Sequence, residues 1–518
     1  MARTIQSILL AAALALTGLS FGAGCKSTPE PKPVETQEQS GTQTGTPAGQ
    51  RPVAEVPPAE AWRQTQPTPG DAPELVIPKF QRTTLKNGLT LMVSERRDLP
   101  LVSIGVALAA GSAQDPQGKA GLAELTMRTL LEGAGKRDAI ALEEAFAELG
   151  GEPFAGTQYD GALVGTQVLR RNAPQAMALV ADIVLRPALK PEDFDRKKRE
   201  HLNNLARQIG TPGYLAQWAF ADVLYGAGHP YGRLVGGTPE SVAGLTGKDA
   251  QEFWKKHAGP GAAALVVTGD VTLDEARQWA EKHFGAWKGG AQRPPKPAEL
   301  RVRAEPQVVL VPKPGLVQTL VAMGRPAIEA GHPDQPALEL ATTVFGGMFG
   351  SRLNMNLREA KGYTYGASAY VSPRRGEGPL VASSSVRADV TGPSVQEFLS
   401  ELKGLRERPI TKEELEDARR GLVQSLPGSF KSVDGLARAA ASIWLEEKDL
   451  DHYQKLVQRL ESATPEQVQA AAERYLDPKT LSLVLVGDPE VIQKQLAGLG
   501  LPNATVRPPP QPPAAVKQ

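Results

Sequence analysis

Six histidines (His201, His229, His257, His283, His332 and His452) are the side chains best suited to holding a transition metal or relaying a proton. A helix presents two imidazoles to one ion only when they stand three or four residues apart, and none of the six has such a partner. Each therefore reads as a surface or capping residue. One cysteine, Cys25, among 518 residues excludes an intramolecular disulfide framework and any cysteine-rich zinc module. The glycine run at 346–350 lacks the Gly-Lys-Ser/Thr ending of a phosphate-binding loop. It reads instead as a stretch that lets a helix at 351–359 approach its neighbours. Charge excludes more: 58 Lys+Arg against 57 Asp+Glu leave a formal +1, with no basic surplus for a nucleic acid and no acidic block.

The beginning of the chain differs in kind from its middle. Arg3 precedes an apolar stretch from Ile8 to Phe21, too short to span a bilayer but suited to a signal-peptide core. Gly22-Ala23-Gly24-Cys25 follows and resembles a bacterial lipobox, with Gly22 in place of the usual aliphatic residue. Residues 1–25 are thus expected to be a signal peptide with Cys25 lipidated. Ten prolines lie between Lys26 and Pro73 among small and polar residues, so 26–74 reads as a disordered tether. Lys26 after Cys25 favours the outer membrane, with the body facing the periplasm.

Folded sequence begins near Leu75. Asn87-Gly88, between Leu85 and Val93, supplies the positive φ angles of a tight hairpin turn. Strands are expected at 101–108 and 164–169, and helices at 120–131, 139–149, 174–185, 191–208 and 214–225. Residues 289–305, rich in Gly and Pro, read as a linker. The sequence on either side of it repeats. Leu265-Val-Val-Thr-Gly-Asp270 is echoed 218 positions later by Leu483-Val-Leu-Val-Gly-Asp488. Pro260 and Pro478 share that offset, and Glu192–Arg199 is echoed by Glu413–Arg420 at 221. A duplicated unit follows, one copy over 75–288 and one over 306–503, each mixing strands and helices without regular alternation. The class is α+β. Residues 504–518 read as a disordered tail.

Four segments carry a family likeness: Gly121-Leu-Ala-Glu124-Leu125, His229-Pro-Tyr-Gly232, Phe345-Gly-Gly-Met-Phe-Gly-Ser-Arg352-Leu353, and Arg358-Glu-Ala-Lys-Gly362-Tyr-Thr-Tyr365. With them, residues 75–500 resemble the M16 metallopeptidases, the pitrilysin, insulinase and mitochondrial processing peptidase family. The resemblance implies two homologous α/β sandwich units forming half of a clamshell. Active members read H-x-x-E-H in the first half, two zinc-binding histidines and a Glu base. Against that motif this chain places Gly121, Glu124 as a vestigial base, and Leu125. Glu200 stands where a third ligand is expected. One carboxylate cannot hold zinc where catalytic sites use three protein ligands, so no metal is expected on this chain. Outside the resemblance, Glu124 and Glu200 read equally as solvated helix-face carboxylates.

The second-half constellation is complete. The resemblance gives Arg358 and Tyr365, seven apart around the breaker Gly362, the task of holding a peptide backbone and stabilising an oxyanion across the clamshell. Strand alternation puts Tyr363 and Tyr365 on one face, so the choice of Tyr365 rests on the family spacing. The expected function is a lipid-anchored, non-zinc, substrate-holding subunit of a heterodimeric zinc endopeptidase. Its partner would be an H-x-x-E-H chain carrying the zinc, and its substrate an unstructured peptide. The alternatives are a peptide-binding scaffold with no proteolytic partner and, last, an autonomous peptidase.

Overall fold

The computed structural model describes residues 75–300 and 306–511. Cys25, the expected signal peptide at 1–25 and the expected tether at 26–74 lie outside them. The Asn87-Gly88 turn joins β1 (Gln81–Thr84) to β2 (Thr90–Glu95) as an antiparallel hairpin, with Gly88 at φ +92°. Asn87 Nδ2 donates to the Phe284 carbonyl at 2.8 Å, which ties the turn to the last helix of the first half. Next come β3 (Leu101–Leu108), α1 (Leu122–Thr129), the small hairpin β4 (Gly133–Ala134) and β5 (Arg137–Asp138), and α2 (Ala139–Glu148). A second hairpin, β6 (Pro153–Thr157) and β7 (Ala162–Leu169), precedes α3 (Ala173–Leu185), α4 (Pro191–Gln208) and α5 (Pro212–Tyr225). Helices α6 (Pro239–Ala243) and α7 (Gly247–His257), strand β8 (Ala263–Gly269) and helix α8 (Leu273–Phe284) complete the half. Their starts are written locally. At α8, Thr272 accepts from the Glu275 N–H while the Glu275 carboxylate accepts from the Thr272 N–H.

The second half repeats the plan. It runs β9 (Val308–Pro312), β10 (Gln318–Ile328), α9 (Gln335–Thr342), α10 (Arg352–Asn354), β11 (Thr364–Val371) and β12 (Gly378–Arg387). Then follow α11 (Thr391–Glu407), α12 (Lys412–Ser429), α13 (Val433–Leu445), α14 (His452–Ser462), α15 (Pro465–Tyr475), β13 (Ser482–Gly487), α16 (Pro489–Leu496) and β14 (Thr505–Val506). The sheet orders are β1-β2-β8-β3-β7-β6 and β14-β9-β13-β10-β12-β11. In each, the echoed Val-rich strand (β8, β13) pairs parallel on one side and antiparallel on the other. The two halves are one topology built twice.

Two expectations are corrected. The helix read at 351–359 is three α-helical residues, α10, followed by a π-helical turn at Met355–Ala360, and another π turn spans Thr343–Gly347. The tail is not structureless from 504. Thr505–Val506 pairs parallel with Val309–Leu310, because β9 would otherwise be an unpaired sheet edge.

Each sheet is covered on both faces, which explains its near-continuous apolar strands. Leu265, Val267 and Val164 of the first sheet face their own helices through Met177, Val180 and Phe284. The opposite face, with Met92, Ala107, Ala264 and Val266, is covered by α13 through Leu436, Ala440 and Ile443. Reciprocally, α5 lays Leu215, Ala219 and Val223 on Val311, Leu320 and Val484 of the second sheet. The halves exchange a helix, so neither core is complete without the other. Arg293, in the segment between them, stacks on Trp444 at 4.1 Å and donates to the Trp444 and Leu445 carbonyls.

Candidate functional site

In the first half the relevant helix is α1. It starts after Gly121, whose φ of +96° is left-handed and whose Cβ, if it had one, would lie 2.8 Å from the Gly236 carbonyl oxygen. Asp115 caps this start, accepting from the Gly121 and Ala123 N–H groups at 2.9 and 2.8 Å. Burial pushes the Asp115 carboxyl up to about 7. Leu125 is fully buried among Phe194, Leu202 and Val242. Gly121 and Leu125 therefore face no groove. The side chains of α1 that reach outward are Glu124 and Arg128, one turn apart and ion-paired at 2.6 Å.

The apolar stripe of α4 decides the third position. Phe194, His201, Leu202 and Leu205 are buried, a spacing that turns His201 inward and its neighbour outward. Glu200 is 52% exposed and pairs with Lys197 at 3.2 Å on its own helix. Glu200 thus stands on the solvated face of α4. The surface or capping reading of His201 is corrected: it is 5% exposed, with Nε2 donating to the Gly236 carbonyl at 2.7 Å and Nδ1 buried without a partner. Burial lowers the pKa of this imidazole; the Gly236 carbonyl opposes the shift, Arg128 adds to it, and Glu124 opposes it. The first half brings together Glu124, Arg128 and His201, in place of Gly121, Leu125 and Glu200. Arg128 is not among the residues singled out in the sequence, although Glu124-x₃-Arg128 is a legible spacing. Among the described residues no group of three or more His, Cys, Asp or Glu side chains could hold a metal ion.

In the second half Arg358 lies within the π turn at Met355–Ala360, its guanidinium 4.6 Å from the Phe349 ring and its Nε 3.4 Å from Glu359. Gly362 ends that turn at φ +62°, donating to the Arg358 carbonyl at 3.1 Å. The register of β11 against β12 shifts between Thr364 and Ala367, which face Val386 and Ser384. Tyr365 and Gly366 together oppose Ser385, a β-bulge. Thr364 Oγ1 pins it, donating to the Ser385 carbonyl at 2.7 Å and accepting from the Gly366 N–H at 3.1 Å. Bulges re-aim side chains. Here the result is that Tyr363 packs on the core while Tyr365 stands 92% exposed, so the two tyrosines do not share an environment. The glycines at 346 and 347 permit close approach as expected: a Cβ on Gly346 would sit 2.8 Å from that of Ala369.

His229-Pro-Tyr231-Gly232 belongs to the junction of the halves. The Tyr231 hydroxyl donates to Asp160 at 2.6 Å and accepts from the Gly376 N–H at 3.1 Å, while Arg374 lies over the Tyr159 ring at 3.8 Å. His229 stacks on Tyr225 with ring centres 5.4 Å apart.

Two family models match in succession: "Insulinase (Peptidase family M16)" over residues 91–211 and "Peptidase M16 inactive domain" over 244–422. The chain belongs to the M16 peptidase family and carries its inactive-type domain. Similar chains include an uncharacterized zinc protease of Mycobacterium tuberculosis, 26% identical across 81% of this chain and 95% of its own length. Another is the uncharacterized zinc protease YmxG of Bacillus subtilis, 24% identical across 79% of this chain and 98% of its own. Among solved structures, a peptidase M16 inactive domain from Pseudomonas fluorescens superposes with a TM-score of 0.73 at 26% identity, covering 79% of this chain and 98% of its own. A protease from Helicobacter pylori shares the fold with a TM-score of 0.74 at 20% identity, covering 79% of this chain and all of its own.

Proposed function

We propose that this chain is the substrate-holding subunit, without zinc of its own, of a two-chain M16 peptidase acting on unstructured peptides. The observation that carries this reading is a contrast. Tyr365 stands 92% exposed at a bulge seven residues after the exposed Arg358, whereas the outward side chains of α1 are occupied with each other. Family members bind zinc through two histidines four apart, and the four-apart pair of α1 that lies near His201 is Glu124 and Arg128. We therefore read the motif as falling on Glu124–Arg128, with buried Met127 in the place of the acid. A guanidinium cannot ligate a cation, and a carboxylate with one imidazole does not complete a three-ligand set, so zinc does not fit this chain.

Arg358 and Tyr365 are hydrogen-bond donors suited to a peptide carbonyl and to the negative charge that develops on it during hydrolysis. The peptide itself would lie extended against a sheet edge; among the described residues β11 pairs with β12 alone. The zinc and the Glu base would come from a partner chain carrying H-x-x-E-H. Lipid attachment at Cys25 and the tether at 26–74 would hold the pair at the cell envelope, facing the periplasm. Among the described residues no helix is long and apolar enough to cross a membrane.

Co-purification from the native host tests the assignment. The expected result is an H-x-x-E-H chain in the preparation and zinc in stoichiometry with that chain alone. One tightly held zinc per copy of this chain, or chelator-sensitive cleavage by it alone, would overturn the reading. Co-purification with no peptidase would leave a peptide-binding scaffold.

A further inference from the structure

We propose that Asn354 is a positioning residue for Tyr365: its buried amide stands in for a neighbouring strand beside β11 and fixes the phenol relative to Arg358. The proposal rests on the substrate-holding reading and adds to it the group that aims the donor. Tyr365 is 92% exposed, so no packing around the ring places it, and the backbone that bears it must do so. That backbone is a bulge, where the strand ladder is locally broken and needs other bonds to keep one geometry.

Two sets of bonds supply this. From within the hairpin, the buried Ser384 hydroxyl donates to the Gly366 carbonyl at 2.9 Å, beside the bonds of Thr364. From outside it, Asn354, 6% exposed, makes both bonds that a paired strand would make to Ala367. Its Oδ1 accepts from the Ala367 N–H and its Nδ2 donates to the Ala367 carbonyl, each at 2.8 Å. An N–H only donates and a carbonyl only accepts, so the backbone dictates which way round the amide lies. Nδ2 also reaches the Met348 carbonyl at 3.1 Å and Ser351 Oγ at 3.2 Å, which hold the amide in its own segment. Asn354 ends α10, and the π turn carrying Arg358 follows it directly. One side chain therefore fastens the strand of the phenol to the turn of the guanidinium, which Thr364 and Ser384, both of the β11–β12 hairpin, cannot do. Without it the Ala367 N–H and carbonyl lose their partners, and the bulge shifts to find others. A displacement of about 1 Å at a group acting on the transition state costs up to about a hundred-fold in rate.

A carboxylic acid has the shape of a carboxamide and makes the test sharp. Protonated, it offers one donor and one acceptor, as the two bonds to Ala367 require; ionised, it offers acceptors only. The four groups that Asn354 bonds are uncharged, and burial among them raises the pH at which an Asp there takes up its proton. The measurement is cleavage of an unstructured fluorogenic peptide by the co-purified complex, each variant compared with the parent at the same pH. At about pH 8, Asn354→Asp should lower kcat roughly ten-fold or more and leave KM within about two-fold. At about pH 6 that deficit should shrink, whereas the deficit of Asn354→Ala should stay the same. Added to Tyr365→Phe, Asn354→Asp should cost less than about two-fold more, because it acts through the phenol. Hydrogen exchange of β11, followed by mass spectrometry on the full chain, should quicken in both Asn354 variants at the higher pH. Quickened exchange with unchanged kcat would overturn the proposal, as would a deficit of Asn354→Asp that is equal at both pH values or multiplies fully with Tyr365→Phe. Those results leave the substrate-holding reading intact. If Tyr365→Phe alone has no effect on the complex, that reading falls and the proposal falls with it.

Discussion

Ahead of its outer hairpin, β6–β7 or β11–β12, each half carries a helical segment, and the two segments are used in opposite ways. In the first half α1 satisfies itself: Arg128 pairs with Glu124, Leu125 enters the core, and Gly121 closes against Gly236. In the second half the segment from α9 to Gly362 is broken by two π turns and a glycine loop, and leaves Phe349, Arg358 and Tyr365 outward. π turns are rare and concentrate at functional sites. The sheet edges differ in the same manner. The first half closes the flank of β2 with a local hairpin, whereas the second closes the flank of β9 with the distant end of the chain. Duplication kept the topology, and function separated at the connections.

The largest effect should come from the exchanged helices, where the halves ought to behave alike. Leu215 of α5 and Leu436 of α13 are each about 1% exposed beneath the other half's sheet. Leu215→Ala and Leu436→Ala should each cost about 2–5 kcal/mol by chemical denaturation. Because each sheet depends on a helix from the other half, unfolding should stay a single transition. Two separated transitions, or one costly and one neutral substitution, would break the equivalence.

Activity should divide the halves. In the co-purified complex, Arg358→Ala or Tyr365→Phe should reduce kcat/KM by roughly ten- to a thousand-fold, the range for losing a preorganised donor. Tyr365→Phe removes one hydroxyl from a side chain that is 92% exposed, so folding should be untouched. Glu124→Gln should change turnover less than about two-fold, since the i,i+4 pair with Arg128 contributes only about 0.3–0.5 kcal/mol. The reverse pattern would assign catalysis to the first half.

The two edge covers should differ in a measurable way. Arg507, next to β14, donates its N–H to the Leu310 carbonyl at 2.8 Å, pairs with Asp222 of α5 at 2.7 Å and lies 3.9 Å over the Trp218 ring. It fastens the second sheet's edge to the first half's exchanged helix. Arg507→Ala should cost about 1–2 kcal/mol in thermal unfolding, the sum expected of a partly screened ion pair and a cation–π contact. Truncation after Asn503 should also bare β9 and promote self-association in light scattering. A truncated chain as stable as the full one and no more self-associated would show that the edge needs no cover.

Much of this was legible because it is local or periodic. The Asn87-Gly88 turn, the strand at 101–108, the helix at 191–208 and the echo of Leu265–Asp270 in Leu483–Asp488 all follow from turn chemistry, apolar pattern or repetition. Other features depend on a single residue of phase. Glu200 and His201 differ by 100° around α4, and only the packing of Phe194 and Leu205 on α1 tells which one faces inward. The bulge at Tyr365–Gly366 breaks an alternation that the sequence obeys, and Thr364, whose hydroxyl secures it, reads as an ordinary strand residue. Amphipathic α5 and α13 declare an apolar face but not whose sheet it covers. Val506 and Arg507 lie next to prolines, and the partners that order them are some 200 to 290 residues away in sequence.

The smallest predicted effect belongs to His201 and concerns stability as a function of pH. Burial lowers the pKa of its imidazole in the folded state, with Arg128 adding to the shift and Glu124 and the Gly236 carbonyl opposing it. Unfolded, the ring recovers its ordinary value near 6.5. A lowered folded pKa means that the unfolded chain binds the proton more tightly, so the native state is unaffected above about 6.5 and loses stability as pH falls through it. The slope is at most about 1.4 kcal/mol per pH unit for one proton. His201→Gln, which retains a donor for the Gly236 carbonyl, should therefore show a shallower loss of stability from pH 7.5 to pH 5 than the parent chain. His257 and His452, both held by burial at about 4, add acid sensitivity to parent and variant alike, so the difference isolates His201. Arg358→Ala should keep the parental slope, because its site lies in the other half. Equal slopes for His201→Gln and the parent would mean that the imidazole is reached by water, and that α1 and α4 do not seal the first-half site as the second-half site is left open.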